Sequence, residues 1–225
     1  MFDVGVIAAN ARFLILQGLL GLGGFAGGTL RLAVPAIVLG FLLGILVALG
    51  RLARSRWVYG PTTVYVEVIR GVPLVMVIFW FWYIVPRLLR LPLPEYGVAL
   101  IAFVVFEAAY FGEIVRAGIQ GVPRGQAEAA RALGLTPAQS MRHVILPQAL
   151  RNMVPAIVTQ MIVLFKDTSL ASIIGYVDLT KAAQIVNNRE IRPFELYLFI
   201  AVVYWVCTYS MSRIARRFER TPRPA

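Results

Sequence analysis

The stretch LAVPAIVLGFLLGILVALG, residues 32–50, is the clearest indication of the fold class of this chain. Its nineteen residues carry no charge and lie between Arg31 and Arg51. A helix of about 20 apolar residues is long enough to cross the hydrocarbon core of a bilayer, so the stretch predicts a membrane-spanning helix. The composition agrees, because 59% of the 225 residues are hydrophobic and 15% are charged, against about 25% charged residues in a soluble domain. The sequence therefore predicts an integral membrane protein.

Four further apolar segments have the length of membrane spans. They run from about Tyr59 to Pro86, from about Tyr96 to Gly118, from about Met153 to Val177 and from Leu196 to Ser212. A helix satisfies all its backbone hydrogen-bonding groups within one segment, which lipid requires. Together with residues 32–50, these segments predict an all-α integral membrane protein with about five transmembrane helices.

The spans divide the chain into three parts. Residues 1–28 are predicted to form an N-terminal periplasmic or interfacial segment, with an amphipathic helix that leads into the first span. Residues 29–215 form the transmembrane domain, which includes a polar hairpin at about 122–151. Residues 216–225 form a basic cytoplasmic tail, and we expect its last residues to be disordered.

Arginine and lysine are distributed unevenly between the two sides of the membrane that five spans define. Thirteen of the 22 lie in the loops that include residues 116–151 and the C-terminus, and six lie in the other loops. Loops rich in these residues stay in the cytoplasm, so the hairpin and the C-terminus are predicted to be cytoplasmic and the N-terminus periplasmic. The net charge of +11 reflects this topology, since nucleic-acid binding needs basic residues spread over a soluble face.

The polar stretch QAEAARALGLTPAQSMRHVILPQA, residues 126–149, specifies its own shape. Its first residues are good helix formers, and Gly134 lies where a left-handed glycine would end that helix. The sequence TPAQ at 136–139 then matches a capping box at the start of a second helix, which runs towards Pro147. By shape alone, an ordinary connecting loop and a functional hairpin are equally good interpretations.

The residue pattern of the hairpin favours a function. EAA at 128–130 is followed after three residues by Gly134 and after nine more by VILP at 144–147. This pattern resembles the EAA signature of permease subunits of ABC importers, a family that usually has isoleucine at the position of Val144. The sequence itself contains no G-x-x-x-x-G-K-[ST] motif, so the chain carries no P-loop of its own.

Other blocks resemble the polar amino acid permeases of that family, of the histidine, glutamine, arginine and glutamate type. They are KDTSLASIIG at 166–175 and EVIRGVPL at 67–74, and the resemblance extends from about residue 29 to 212. The segments PLVMVIFW at 73–80 and FEAAY at 106–110 look most like the glutamate/aspartate branch.

The resemblance implies a type I ABC importer permease fold that moves its substrate by alternating access. ATP would be hydrolysed by a separate ATPase dimer, so the chain itself would not be an enzyme and would need no cofactor or metal. Further partners would be a second permease subunit, identical or paralogous, a periplasmic solute-binding protein and the membrane lipid. The hairpin would dock in a groove of the ATPase through Glu128, Ala129, Ala130, Gly134, Leu146 and Pro147.

Four charged residues fall within the predicted spans: Glu67, Arg70, Lys166 and Asp167. Charges at membrane depth are costly and usually functional, so we expect these four to line the translocation pathway. A broken helix at Gly71-Val72-Pro73 would favour a cavity there. The alternative is that the four form structural ion pairs, such as one between Glu67 and Arg70 on one helical face.

The remaining polar candidates are less informative. For Glu107, a pathway role and a hydrogen bond to a neighbouring helix are equally good interpretations. Glu113 and Arg116 are expected to form a solvated pair near the cytoplasmic end of the third span. His143 is expected at the surface, and the single cysteine, Cys207, rules out a disulfide within one chain.

The substrate is less constrained than the class of protein. Arg70 and Lys166 suit an acidic amino acid, but Glu67 and Asp167 are equally close in the sequence, so basic and polar neutral amino acids remain alternatives. A membrane enzyme would need a nucleophile paired with a base, or a set of metal ligands, which the sequence does not offer. A passive channel would not need the EAA hairpin.

Overall fold

The computed structural model describes residues 4–16, 23–90 and 92–219, and nearly all of these residues are helical. The α-helices are α1 (Gly5–Ala11), α2 (Arg31–Arg51), α3 (Arg56–Gly71), α4 (Leu74–Phe79), α5 (Val85–Leu89), α6 (Glu95–Gln120), α7 (Arg124–Ala132), α8 (Pro137–Ser140), α9 (Leu146–Asp167), α10 (Leu179–Glu190) and α11 (Pro193–Glu219). Wider π-helical turns lie at Arg12–Leu16, Phe25–Leu30, Trp80–Ile84 and Met141–Ile145, and a 3₁₀-helix lies at Thr168–Ile174.

Among the described residues, four continuous helices are long and apolar enough to span a membrane: Phe25–Arg51, Glu95–Gln120, Pro137–Ile174 and Pro193–Arg216. The helix pair Arg56–Gly71 and Leu74–Leu88 is apolar and long enough only when taken together; it is bent by 109° at the break and counts as a fifth span if the pair is one span. The predicted all-α fold with about five spans is therefore confirmed.

The second span breaks where the sequence indicated. Val72 adopts an extended backbone with φ −114° and ψ 139°, as expected for a residue before proline. Pro73 has no N–H to continue the helix, and α4 begins immediately after it. The residues around the break, 70–74, are part of the lining of a cavity.

Helices α2 and α6 pack closely because small residues lie at their contact. A Cβ atom on Gly44 of α2 would lie 2.7 Å from Cβ of Phe111, and one on Gly112 of α6 would lie 2.8 Å from Cγ1 of Val47. Close approach of small residues is a common way for helices to associate in lipid. Helix α9 packs on α6 in the same manner, where Gly118 faces Met153.

The N-terminal segment contains α1, and the π-helical turn Arg12–Leu16 that follows it packs against protein. Leu14 is fully buried in a cluster with Leu179 of α10 and Leu196 of α11. Parts of two predicted segments, namely residues 1–3, 17–22 and 220–225, lie outside the described residues.

Helix α10 is joined to the first and last spans by a group of buried hydrogen bonds, which we call the α10 joint. The Tyr176 hydroxyl donates to the Gly28 carbonyl oxygen at 2.9 Å, and the Leu179 N–H donates to Oγ1 of Thr29 at 3.2 Å. The joint comprises Gly28, Thr29, Tyr176, Asp178, Leu179 and Tyr204. Asp178 caps α10 by accepting from two backbone N–H groups, and it also accepts from the Tyr204 hydroxyl at 3.3 Å.

An ionic cluster joins the C-terminal end of α2 to the C-terminal half of α6. The predicted pair of Glu113 with Arg116 is confirmed, and Nε of Arg116 donates to Oε2 of Glu113 at 2.9 Å. Arg51 of α2 also pairs with Glu113. The Glu113 side chain is 21% exposed, so the cluster is more enclosed than the solvated pair that the sequence suggested.

Candidate functional site

The hairpin turns at Gly134, as the sequence predicted. Gly134 has φ +78°, a left-handed conformation that a side chain would strain. Its N–H donates to the Arg131 carbonyl oxygen at 2.9 Å, and the Leu135 N–H donates to the Ala130 carbonyl oxygen at 3.1 Å. This pair of bonds is the Schellman motif, which satisfies the last carbonyl groups of α7.

The predicted capping box is also present. Oγ1 of Thr136 accepts from the Gln139 N–H at 3.3 Å, and Oε1 of Gln139 accepts from the Thr136 N–H at 2.9 Å. The two arms of the hairpin are further joined by the side chains of Gln148 and Gln126, at 3.2 Å.

The residues predicted to contact an ATPase differ in exposure. Glu128, Ala129, Gly134, Leu146 and Pro147 are exposed in this chain. Ala130, by contrast, is 3% exposed. Its methyl group therefore packs inside the hairpin, where the sequence pattern had suggested a contact surface.

Two further hairpin residues, Leu133 and His143, have exposed side chains. Leu133, which was not among the predicted contact residues, is 83% exposed beside the turn. Its only sequence signal is its position directly before Gly134. His143 is exposed, as expected.

The second arm of the hairpin continues into the membrane without a break, which the sequence did not indicate. It forms one helix of 38 residues, Pro137–Ile174. Pro147 suggested an end, but it lies in the first turn of α9, directly after the π-helical turn Met141–Ile145. A local π-helical turn is one way in which a helix continues through a proline, which cannot donate a backbone hydrogen bond.

A cavity of about 470 Å³ lies where the broken span meets α6 and α9. Its lining consists of Arg70, Gly71, Val72, Pro73, Leu74, Phe106, Tyr110, Gln160, Val163, Asp167 and Leu170. The chain thus places one cation, one anion and one amide around a partly apolar space, a combination that suits a small zwitterion.

Only two of the four predicted pathway charges line this cavity. Arg70 lies with its guanidinium carbon 5.2 Å from the centre of the Tyr110 ring, a cation–π arrangement, and Asp167 lies across the space on α9. Glu67 and Lys166 are exposed and are not part of the lining. Within residues 4–16, 23–90 and 92–219, none of the four forms an ion pair, so the suggested pair between Glu67 and Arg70 is not present.

Glu107 lies behind the cavity wall. Its side chain is fully buried, and Oε2 accepts a hydrogen bond from Nε2 of Gln160 at 3.0 Å. Of the two interpretations that the sequence left open, the hydrogen bond to a neighbouring helix is present in the structure. Gln160 and Tyr110 were not identified from the sequence, because a glutamine and a tyrosine in a mixed segment give no signal until the helices are placed.

The chain matches a known family over most of its length. Residues 40–224 match the family described as binding-protein-dependent transport system inner membrane component. A glutamate/aspartate import permease protein of Escherichia coli O6:H1 is 44% identical over 199 residues, covering 85% of this chain and 89% of that protein. A probable glutamine ABC transporter permease protein of Bacillus subtilis is 38% identical over 194 residues, covering 85% and 88%.

A solved structure agrees with the fold. The crystal structure of an amino acid ABC transporter with histidines superposes with a TM-score of 0.89 at 35% identity, and the match covers 99% of this chain and 100% of that chain.

Proposed function

This chain belongs to the family of inner membrane components of binding-protein-dependent transport systems, and from that premise we propose that it is the permease subunit of an ATP-driven importer of amino acids. The observation that carries the proposal is the uninterrupted helix Pro137–Ile174. One end of it forms the second arm of the hairpin, and Asp167 near the other end lines the cavity. At 1.5 Å per residue the helix is about 57 Å long, so a displacement of the hairpin moves the cavity wall directly.

The hairpin is proposed to receive that displacement from a separate ATPase dimer. Glu128 offers a charged contact, and the exposed surface around Ala129 and Gly134 lets the hairpin enter a groove. Leu146 and Pro147 remain proposed contacts on the second arm. Ala130 supports the docking surface from inside, because its small side chain lets the two arms pack together.

The cavity is proposed to be part of the translocation pathway, enclosed by a second permease subunit. Glu67, Arg70 and Lys166 are exposed in the single chain. Charges at membrane depth face protein or water rather than lipid, so this surface needs a cover. A second permease, identical or paralogous, supplies one.

The proposed substrate is glutamate or aspartate. The proposal is supported by the 44% identical glutamate/aspartate import permease and by Arg70 in the cavity wall, whose guanidinium suits a carboxylate. Asp167 suits the ammonium group that every amino acid carries. The second candidate is a polar neutral or basic amino acid, favoured by the similarity to a glutamine permease and by the presence of both signs of charge in the cavity.

The proposed orientation places the hairpin and the C-terminus in the cytoplasm and the N-terminal segment, residues 1–28, in the periplasm. The solute-binding protein would then dock on the side of α10, near the loops at 86–96 and 176–194. The transmembrane domain would comprise residues 29–215, and residues 216–225 would form the cytoplasmic tail. The asymmetry of basic residues supports this orientation.

Uptake by the reconstituted importer tests the proposal. The chain is co-purified with the ATPase, second permease and solute-binding protein encoded beside it, placed in liposomes containing ATP, and supplied with labelled glutamate, glutamine or arginine. We expect ATP-dependent uptake, strongest for glutamate, and at least a tenfold loss on Arg70→Gln or Asp167→Asn. Uptake without an ATPase, or no uptake of any of the three, would contradict the proposal.

Arg213→Gln is the matched control for Arg70→Gln. Arg213 lies 5.7 Å from the centre of the Tyr209 ring, in a cation–π contact similar to that of Arg70, but it is outside the cavity lining. Its loss should leave uptake close to that of the unaltered chain. An equal loss in both variants would indicate that Arg70 acts through packing on Tyr110 and not through the pathway.

A further inference from the structure

Glu107 is a buried ionisable side chain of the membrane domain that forms no ion pair within the part of the chain that the structure describes. It is 0% exposed. Its Oε2 atom accepts from Gln160, and its Oε1 atom has no hydrogen-bond partner among the described residues. Burying a carboxyl group with one oxygen unsatisfied is costly. The cost indicates that the group does something that an apolar residue at this position would not do.

The neighbouring residues are arranged to admit this side chain. Gly40 of α2 lies opposite, where an added Cβ atom would come within 3.0 Å of Cβ of Glu107. Phe106 and Tyr110 on the same helix line the cavity, whereas Glu107 does not. Glu107 therefore contacts the cavity only through Gln160, whose side chain forms part of the wall.

The hydrogen bond to Glu107 restricts the orientation of the Gln160 side-chain amide. A glutamine amide has one donor side and one acceptor side. Because one N–H of the Gln160 nitrogen is engaged by Glu107, the amide keeps its carbonyl oxygen and one further N–H for other partners. Among the residues that line the cavity, the Gln160 carbonyl oxygen and the Asp167 carboxylate can accept hydrogen bonds, and the Arg70 guanidinium and the Tyr110 hydroxyl can donate them.

We propose that Glu107 is a positioning residue for substrate recognition: it holds the Gln160 amide so that its carbonyl oxygen accepts a hydrogen bond from the α-ammonium group of the amino acid. The inference rests on the proposed function, because it assumes that an amino acid enters this cavity. Glu107 itself does not touch the substrate. Arg70 is left to bind a carboxylate at the other side of the cavity.

Two substitutions at Glu107 separate positioning from charge. Glu107→Gln loses the charge but keeps an oxygen that can accept from Gln160, so it should retain recognition. Glu107→Asp keeps the charge but is shorter by one methylene and cannot reach the Gln160 nitrogen, so it should lose recognition. Both variants keep a polar group of comparable size at the contact with Gly40, so neither leaves a large cavity in the packing.

The measurement is equilibrium binding to the permease–ATPase complex in detergent, without the solute-binding protein. The probes are L-glutamate and glutarate, which share two carboxylates but differ in the α-ammonium group. The unaltered complex should prefer L-glutamate. Glu107→Asp should reduce that preference about tenfold, the loss expected for one hydrogen bond to a charged group, while Glu107→Gln should keep it within about threefold.

Gln160→Leu should reduce the preference by the same factor, and adding Glu107→Asp should reduce it no further, because both changes remove the same contact. Thr159→Val is the control, since it removes a polar group from the residue next to Gln160 on the same helix, outside the cavity lining. An equal loss of affinity for both probes would assign Glu107 a purely structural role. A preference unchanged by Glu107→Asp would overturn the inference.

The two proposals fail in different ways. If the unaltered complex binds none of L-glutamate, L-glutamine and L-arginine, the proposed function fails and the positioning role falls with it. If it binds one of them and its requirement for the ammonium group does not depend on Glu107, the positioning role alone fails.

Discussion

The hairpin and the α10 joint are held by opposite kinds of contact. In the hairpin, the bonds at Gly134 and in the capping box join residues three to five positions apart, and most of the groups are exposed. In the joint, the Tyr176 hydroxyl and the Leu179 N–H bond to residues 148 and 150 positions away, and both bonds are buried. The hairpin is a self-contained unit, whereas the joint holds distant parts of the chain together.

This difference in burial predicts that the α10 joint determines the stability of the fold, whereas the hairpin determines the proposed coupling to an ATPase. A buried polar group that loses its partner costs about 1–3 kcal/mol, whereas an exposed one exchanges its partner for water. Changes in the joint should therefore lower the free energy of unfolding. Changes in the hairpin should leave the membrane domain folded and, if the hairpin docks on an ATPase as proposed, impair its coupling to that ATPase.

Gly28→Ala should have the largest effect. The added Cβ atom would lie 2.2 Å from the Val177 carbonyl oxygen and 2.6 Å from Cα of Asp178, so the backbone segments must separate and the joint must open. We expect a loss of about 4 kcal/mol in the free energy of unfolding, measured as a fall in Tm by fluorescence-detected size exclusion in detergent.

Gly60→Ala is the control for this change. Gly60 lies within α3, and an added Cβ atom would meet nothing within 4 Å. Alanine is also a better helix former than glycine, so Tm should be unchanged or slightly higher. Equal Tm values for the two variants would mean that the approach of Gly28 to Val177 does not stabilise the joint.

The pH dependence of the joint is the next largest effect. Burial raises the pKa of Asp178 from 3.8 to about 6, against the opposing effect of its hydrogen bonds from the Lys181 and Thr180 backbone and the Tyr204 hydroxyl. The folded state therefore holds this proton more tightly than the unfolded chain. The resulting stabilisation is complete below about pH 4 and is lost as pH rises through about 6, with a total of about 3 kcal/mol.

Asp178→Asn isolates this contribution. Asparagine caps a helix about as well as aspartate but does not titrate. Between pH 4 and pH 7, the Tm of the unaltered chain should fall relative to that of the variant. Parallel curves would show that Asp178 does not titrate in this range.

The same contrast explains what could be predicted from the sequence. Gly134, the capping box and the break at Pro73 follow from local rules, so their positions were correct. The joint depends on residues such as Thr29 and Asp178 that are far apart in the chain, and no local pattern relates them.

The cavity was only partly predictable for the same reason. Arg70 and Asp167 were identified because charges in apolar segments are conspicuous. Whether a residue on a span faces the cavity depends on how its helix is rotated against its neighbours, so Glu67 and Lys166 were assigned together with them. The continuity of α9 with the hairpin was missed because Pro147 resembles a helix end.

Gly134→Val tests the hairpin as a coupling element. The substituted residue would be strained at φ +78° by about 1–2 kcal/mol, although its Cβ atom would meet nothing within 4 Å. We expect the hairpin to open, co-purification with the ATPase to weaken and uptake to fall, while the Tm of the membrane domain is unchanged. Gly125→Ala, also without a close neighbour and in the helical part of the hairpin, should leave all three unchanged.

Thr136→Ala should have the smallest effect, and it tests whether the hairpin and the membrane domain unfold separately. It removes the Oγ1 atom that accepts from the Gln139 N–H, a loss of about 1 kcal/mol for an N-cap. Since the Thr136 N–H still donates to Gln139, the second arm should fray only at its first turn. The ratio of ATP hydrolysed to substrate imported should then rise modestly, without a change in Tm, and Thr136→Ser should restore it. A drop in Tm on Thr136→Ala would show that the hairpin and the membrane domain unfold as one unit, which would break the separation between coupling and stability.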